Sequence, residues 1–129
     1  MILWPRAIQI HISTQPTNLR KSFDGLSTLV RSALAKDPLS GHVFVFLNRR
    51  KTQVRLLWWT RGGFVILAKR LEAGTFTFPQ QVTSRASCIE LREHELSLLL
   101  EGIDVAQGKY AHRWEPPAEE SALDKLKAD

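Results

Sequence analysis

Residues 48–70, NRRKTQVRLLWWTRGGFVILAKR, hold seven lysines and arginines, two adjacent tryptophans and no carboxylate. Guanidinium groups fork onto phosphate oxygens, and an exposed aromatic ring stacks on a base or packs against a sugar, so these residue types suit a polyanion. The candidate contacts are Arg49, Arg50, Lys51, Arg55, Trp59, Arg61, Lys69 and Arg70. Arg20 and Lys21 form a second basic pair just before an expected helix start, where free backbone N–H groups already favour an anion. For that isolated pair a solvated loop, with Asp24 answering Arg20, is the simpler reading. The long stretch has its own plain alternative, a sheet margin whose arginine stems lie over apolar surface with their heads in water. Charge segregation favours binding. From Pro38 to Leu71 there are seven basic residues and no acid, while the other 95 residues carry 11 basic and 13 acidic ones. Soluble surfaces normally mix the two signs, and a one-signed block points to nucleic acid or another polyanion.

Other chemistries have no comparable signal. There is no phosphate-cradling G-x-x-x-x-G-K-[ST] and no G-x-G-x-x-G, and the glycines of TRGGF read as a turn. His11, His42, His94 and His112 are scattered, and one cysteine, Cys88, allows neither an internal disulfide nor a Cys-x-x-Cys zinc pattern. Cys88 reads as a buried structural thiol. Glu90, Glu93, Glu95 and Glu101 read as the solvated side of a helix rather than an acid/base pair. No catalytic residue, metal or cofactor is expected. Pro5 and Arg6 interrupt the opening apolar residues and no later run reaches the ~18 residues of a membrane span, so a cytoplasmic protein with no membrane partner is expected.

The elements that must position the basic residues follow from periodicity. With 129 residues, 43% hydrophobic and 24% charged, the chain is long enough for one packed core. AIQIHIS (7–13) alternates as a half-buried strand. From Ser22, an expected N-cap with Asp24 in the first turn, Phe23, Leu26, Leu29, Val30, Ala33 and Leu34 recur at helical spacing until Asp37-Pro38 stops them. HVFVFLN (42–48) is apolar on both faces and reads as an interior strand. VRLLWWT and FVILAKRL flank RGG as a hairpin. GTFTFP reads as a short fifth strand closed by Pro79, and a second helix is expected from about Glu90 to Glu101, stopped at Gly102. Residues 1–104 are thus expected to form a single α+β domain, a mainly antiparallel sheet of four to five strands with two helices. Residues 105–129 are expected to be a charged tail with one short helix.

Hairpin register decides which side the cations occupy. A two-residue turn at Arg61-Gly62 or Gly62-Gly63 puts Val54, Leu56 and Trp58 on the purer core face, and Arg55, Leu57 and Trp59 with Phe64, Ile66, Ala68 and Arg70 on the other. With Gly62-Gly63, Arg55 would face Arg70, a like-charge opposition that an external anion could relieve. A three-residue loop would exchange the faces.

Three stretches together resemble a known family: LRKSFDGL (19–26), DPLSGHVFVFLNRRKTQVRLLWWTRGGFVILAKRLEAGTFTFP (37–79) and ELREHELSLLLEGID (90–104). They look like the small TnpB-type accessory protein, the second reading frame of bacterial insertion sequences of the IS sixty-six class, which is unrelated to the RNA-guided nuclease of the same label. The chain departs from that pattern at Ser22, where glycine is usual, at Arg55, commonly lysine, and at Phe78, commonly tryptophan. The resemblance implies a protein encoded beside a separate transposase and needed for efficient movement of the element. Joined to the basic run, it leads to the expectation of a non-enzymatic, DNA-binding accessory factor. That factor would grip duplex phosphates at the insertion-sequence ends and assist the transposase. The alternative is an adaptor that binds the transposase without touching DNA, through the aromatic hairpin face.

Overall fold

The computed structural model describes residues 8–77, 86–104 and 109–110. The elements are β1 (Ile10–Ser13), α1 (Phe23–Ser32), β2 (Val43–Leu47), β3 (Gln53–Thr60), β4 (Gly63–Arg70), β5 (Cys88–Leu91), α2 (Glu93–Glu101) and a small ladder of β6 (Ile103–Asp104) with β7 (Lys109–Tyr110). Five strands make one sheet in the order β4-β3-β2-β1-β5. Only the β1–β2 pair is parallel; the others are antiparallel. Parallel neighbours need a crossover long enough to return the chain to the same end, and α1 supplies it. The α+β expectation therefore holds, with a mixed, mostly antiparallel sheet and two helices.

Each helix covers one face of the sheet. Every residue of β2 is buried, as a central strand covered on both sides requires. Ile10, Ile12, Val43, Val45, Leu47, Val54, Leu56 and Trp58 pack with Leu96 and Leu99 of α2. Phe44, Phe46 and Leu57 pack with Leu26 and Val30 of α1 and with Leu19. The period-2 alternation of the strands and the three- and four-residue spacing of Leu26, Leu29 and Val30 meet in these two layers.

The structure corrects several element boundaries. The helix expected to run to Asp37 ends at Ser32: the Leu34 N–H reaches back to the Leu29 carbonyl, and Ala35 turns left-handed with φ 53°. Ser22 is the N-cap residue, but its side chain makes no capping hydrogen bond. GTFTFP supplies no strand among its described residues, because Phe76 is fully buried as a plug in the α2-side core and its N–H donates to the Lys51 carbonyl. The fifth strand is Cys88–Leu91. Cys88 is half-buried rather than buried, and α2 begins three residues later than expected, at Glu93. Gly102 ends it in the left-handed conformation, as the sequence suggests. Pro79 and residues 111–129, with the expected tail helix, lie outside the described residues.

Candidate nucleic-acid interface

The β3–β4 hairpin turns on Arg61-Gly62, both at positive φ (45° and 84°), with Thr60 paired to Gly63. Positive φ at both central positions is what lets a two-residue turn follow the twist of its strands. Of the two registers open to the sequence this is the first, and it places Arg55 across from Ala68 and Arg70 across from Gln53. The Arg55–Arg70 opposition does not occur. The two faces nevertheless divide as expected: Trp58 is core on the α2 side, and Leu57 and Ile66 lie under α1.

What the hairpin pattern could not show is where the cations converge. At the C-terminal ends of the parallel strands β1 and β2, the β1–α1 loop meets the β2–β3 turn, and between them opens a basin of about 730 Å3. Arg20, Arg49, Arg50 and Arg55 line it together with Asn48 and Gln53. No lining residue is acidic, and none of the four arginines is ion-paired to a carboxylate among the described residues. The outer ends of neighbouring parallel strands are a recurrent ligand position in sheets with helical crossovers.

The basin is held by short-range bonds. The Thr17 N–H donates to the Leu47 carbonyl at 2.9 Å, tying the two loops, and Arg55 Nη1 donates to the Lys21 carbonyl at 2.7 Å, tying β3 to the entry of α1. Asn48 Oδ1 accepts the N–H groups of Thr52 (2.9 Å) and Gln53 (3.1 Å), while its Nδ2 donates to Thr52 Oγ1, so one amide shapes the whole β2–β3 turn. Asn18 Oδ1 accepts the Arg20 N–H at 3.0 Å and aims that residue. Lys51 in the same turn sits at φ 57°, a left-handed conformation that costs a non-glycine residue free energy. Asn18, Asn48, Thr17 and Gln53 are not singled out by the sequence pattern; one asparagine in each of the two loops is the signal that could have flagged them.

The remaining expected contacts separate from this cluster. Lys21 contributes its carbonyl to Arg55 but does not line the basin. Arg70 is at the basin end of β4, where its guanidinium forms an ion pair with Glu72 at 3.0 Å. Lys69 points to the α2 side and donates to the Leu100 carbonyl at 2.6 Å. Trp59 is half-buried, edge-to-face with Phe64 at 5.0 Å, near the turn. Arg61 caps the turn itself, six residues beyond Arg55, about 20 Å along an extended strand.

Among the described residues no group of three or more His, Cys, Asp or Glu side chains could hold a metal ion, and no helix is long and apolar enough to cross a membrane. His11 is buried beside the α1-side core, stacked on Phe44 with ring centroids 5.6 Å apart and edge-on to His42. Burial holds its pKa below the ordinary histidine value, with Lys36 adding to the effect, Glu90 opposing it and His42 adding slightly.

Residues 8–110 match the family model described as IS66 Orf2 like protein. Two proteins of Sinorhizobium fredii (strain NBRC 101917 / NGR234) are similar over most of the chain. The one named uncharacterized protein y4jC is 36% identical over 99 residues, 77% of this chain and 82% of its own. The one named uncharacterized protein y4hO is 32% identical over 97 residues, 75% of this chain and 82% of its own. No solved structure matches to a significant degree.

Proposed function

The chain belongs to the IS66 Orf2-like family, which implies a role in the movement of IS66 elements, and from that premise we propose that it is a DNA-binding accessory protein of transposition. The family is an accessory one and is not known for enzymatic activity. In this reading Arg20, Arg49, Arg50 and Arg55 grip backbone phosphates at the element's ends while the protein acts beside the transposase. The observation that carries it is the convergence of four arginines, from two loops and a strand, on one cavity with no acidic lining residue. Four like charges gathered in one place repel each other, and an incoming phosphate relieves that repulsion. Phosphate contacts position a protein without specifying sequence, so element ends and unrelated duplex should bind alike through the basin. The roles expected for Lys21, Lys51, Trp59, Arg61, Lys69 and Arg70 become secondary, adding to the field around the basin.

The test is fluorescence anisotropy on a labelled duplex across a salt series. Four phosphate contacts give a log–log slope of about −3.6, a loss of roughly 150-fold between about 50 and 200 mM salt. A flat salt response, or no binding in dilute buffer, removes the proposal.

A second reading rests on the other end of the hairpin. β4 is an edge strand, and Phe64, Val65, Ile66 and Leu67 are all half-exposed, with Trp59 against Phe64. An adaptor that docks the transposase would use this apolar edge, with main-chain pairing supplying affinity. Co-purification with the transposase after nuclease treatment, lost on Trp59→Ala, supports it; separation at micromolar concentrations counts against it.

A further inference from the structure

The basin has a neighbour. A second cavity of about 260 Å3 shares Pro16, Asn48 and Arg49 with it. Its other walls are Ser13, Thr14, Gln15, Leu47 and Lys51, so it sits directly at the ends of β1 and β2. The two hollows differ in chemistry. Four guanidinium groups line the larger, whereas the smaller offers the exposed Pro16 ring beside the nearly buried Leu47, the exposed amide of Gln15, and two cations, Arg49 and Lys51. The hydroxyls there are already engaged: Ser13 Oγ donates to the Gln15 carbonyl, and Thr14 Oγ1 bonds the Ala86 and Ser87 carbonyls. They fix the wall, which leaves the Gln15 amide as the group with both a donor and an acceptor to present.

Resting on the phosphate-binding reading, we infer that the paired cavities receive one unpaired DNA strand. Its phosphates lie in the four-arginine basin, and one unstacked base enters the smaller cavity. Size supports this. A volume of 730 Å3 would be about 11 Å across if spherical, room for a short run of one strand's backbone against the four arginines. Chemistry supports it as well. A base has an apolar face for Pro16 and a Watson–Crick edge for the Gln15 amide, and that edge is accessible only when the base is unpaired. The loops are tied to each other by the Thr17–Leu47 bond and to β3 through Arg55, so little ordering is left to oppose binding. The favoured substrate is therefore a frayed end, overhang or junction rather than uninterrupted duplex.

Three probes of one sequence test this by anisotropy on the full chain: a blunt duplex, the same duplex with a short single-stranded overhang, and the single strand. Overhang and single strand are expected to bind at least ~5-fold tighter than the blunt duplex, the low end of what one bidentate amide–base contact contributes. The salt slope on the single strand should be about −2.8, against about −3.6 on the duplex. Gln15→Ala, an exposed substitution that removes the amide at the mouth of the smaller cavity, should abolish the overhang advantage while leaving blunt-duplex affinity and the thermal melt unchanged. Equal affinity for blunt and overhang duplex overturns the inference and leaves the phosphate reading standing. An overhang advantage that survives Gln15→Ala overturns the cavity assignment, and absence of binding to every probe removes both.

Discussion

Each end of the β3–β4 hairpin carries arginine, in opposite surroundings. At one end Arg55 stands where the β1–α1 loop and the β2–β3 turn meet, so arginines from three chain segments share one cavity. At the other end Trp59, Phe64 and Arg61 flank a two-residue turn. The strand between them is ordinary core, with Leu57 and Ile66 under α1 and Leu56 and Trp58 facing α2. A run of cations in sequence thus gathers around one cavity only where topology brings other loops to it. A parallel β1-α1-β2 unit does this at the C-terminal ends of its strands, because both loops leave from that edge.

The largest expected effect comes from removing one end outright. Replacing Arg20, Arg49, Arg50 and Arg55 together with alanine should flatten the duplex salt slope from about −3.6 toward zero and erase the roughly 150-fold salt effect. Replacing Trp59 and Arg61 instead should leave the slope within error. Equal losses from both ends, read in the same anisotropy series, would break the comparison.

Arg55 alone sharpens it. Arg55→Ala should lower the slope by about 0.9, one phosphate contact. Arg55→Lys keeps the charge but not a guanidinium fork that can hold the Lys21 carbonyl and an anion at once, so it should restore the slope while affinity stays below wild type.

Much of this fold was legible in sequence. Alternation gave the hairpin and its faces whichever two-residue turn formed, since both registers keep Val54, Leu56 and Trp58 together. The partition of the cations was not. Arg20 reaches the basin from about 30 residues upstream of Arg49, a juxtaposition with no local period, and it was the isolated pair that a solvated loop explained best. Lys69 and Arg70 meet acceptors invisible in the pattern, the Leu100 carbonyl and Glu72. GTFTFP alternates like a strand, yet Phe76 is worth more buried as a plug than paired in a ladder.

Acid separates the basin from its scaffold. The basin's lining holds four arginines and no histidine or carboxylate. His11, buried on β1 against Phe44, is different: its folded-state pKa is depressed, chiefly by burial, so the unfolded chain binds the proton more readily. Its contribution to stability is complete above about pH 6.5 and is lost as pH falls from there through the depressed folded value. Urea midpoints should decline over that window in wild type and flatten in His11→Phe. DNA affinity per folded molecule should stay constant across it. A drop in affinity with no loss of fold would mean that a titrating group, not the arginines, controls the site.

The smallest effect tests the turn end for function directly. Arg61 adopts the left-handed conformation at φ 45°, which costs an L-residue roughly 1–2 kcal/mol. Asparagine tolerates it better, and Asn-Gly is the favoured pair for such a turn. Arg61→Asn should therefore raise stability by about 0.5–1 kcal/mol, part of the relief being offset in the unfolded chain. A strained arginine kept for DNA contact would show the opposite trade, with the urea midpoint rising while the salt slope falls by about 0.9. If the slope is unchanged, the strain at Arg61 serves no phosphate contact, and the reason for an arginine there is to be sought in whatever docks on the β4 edge.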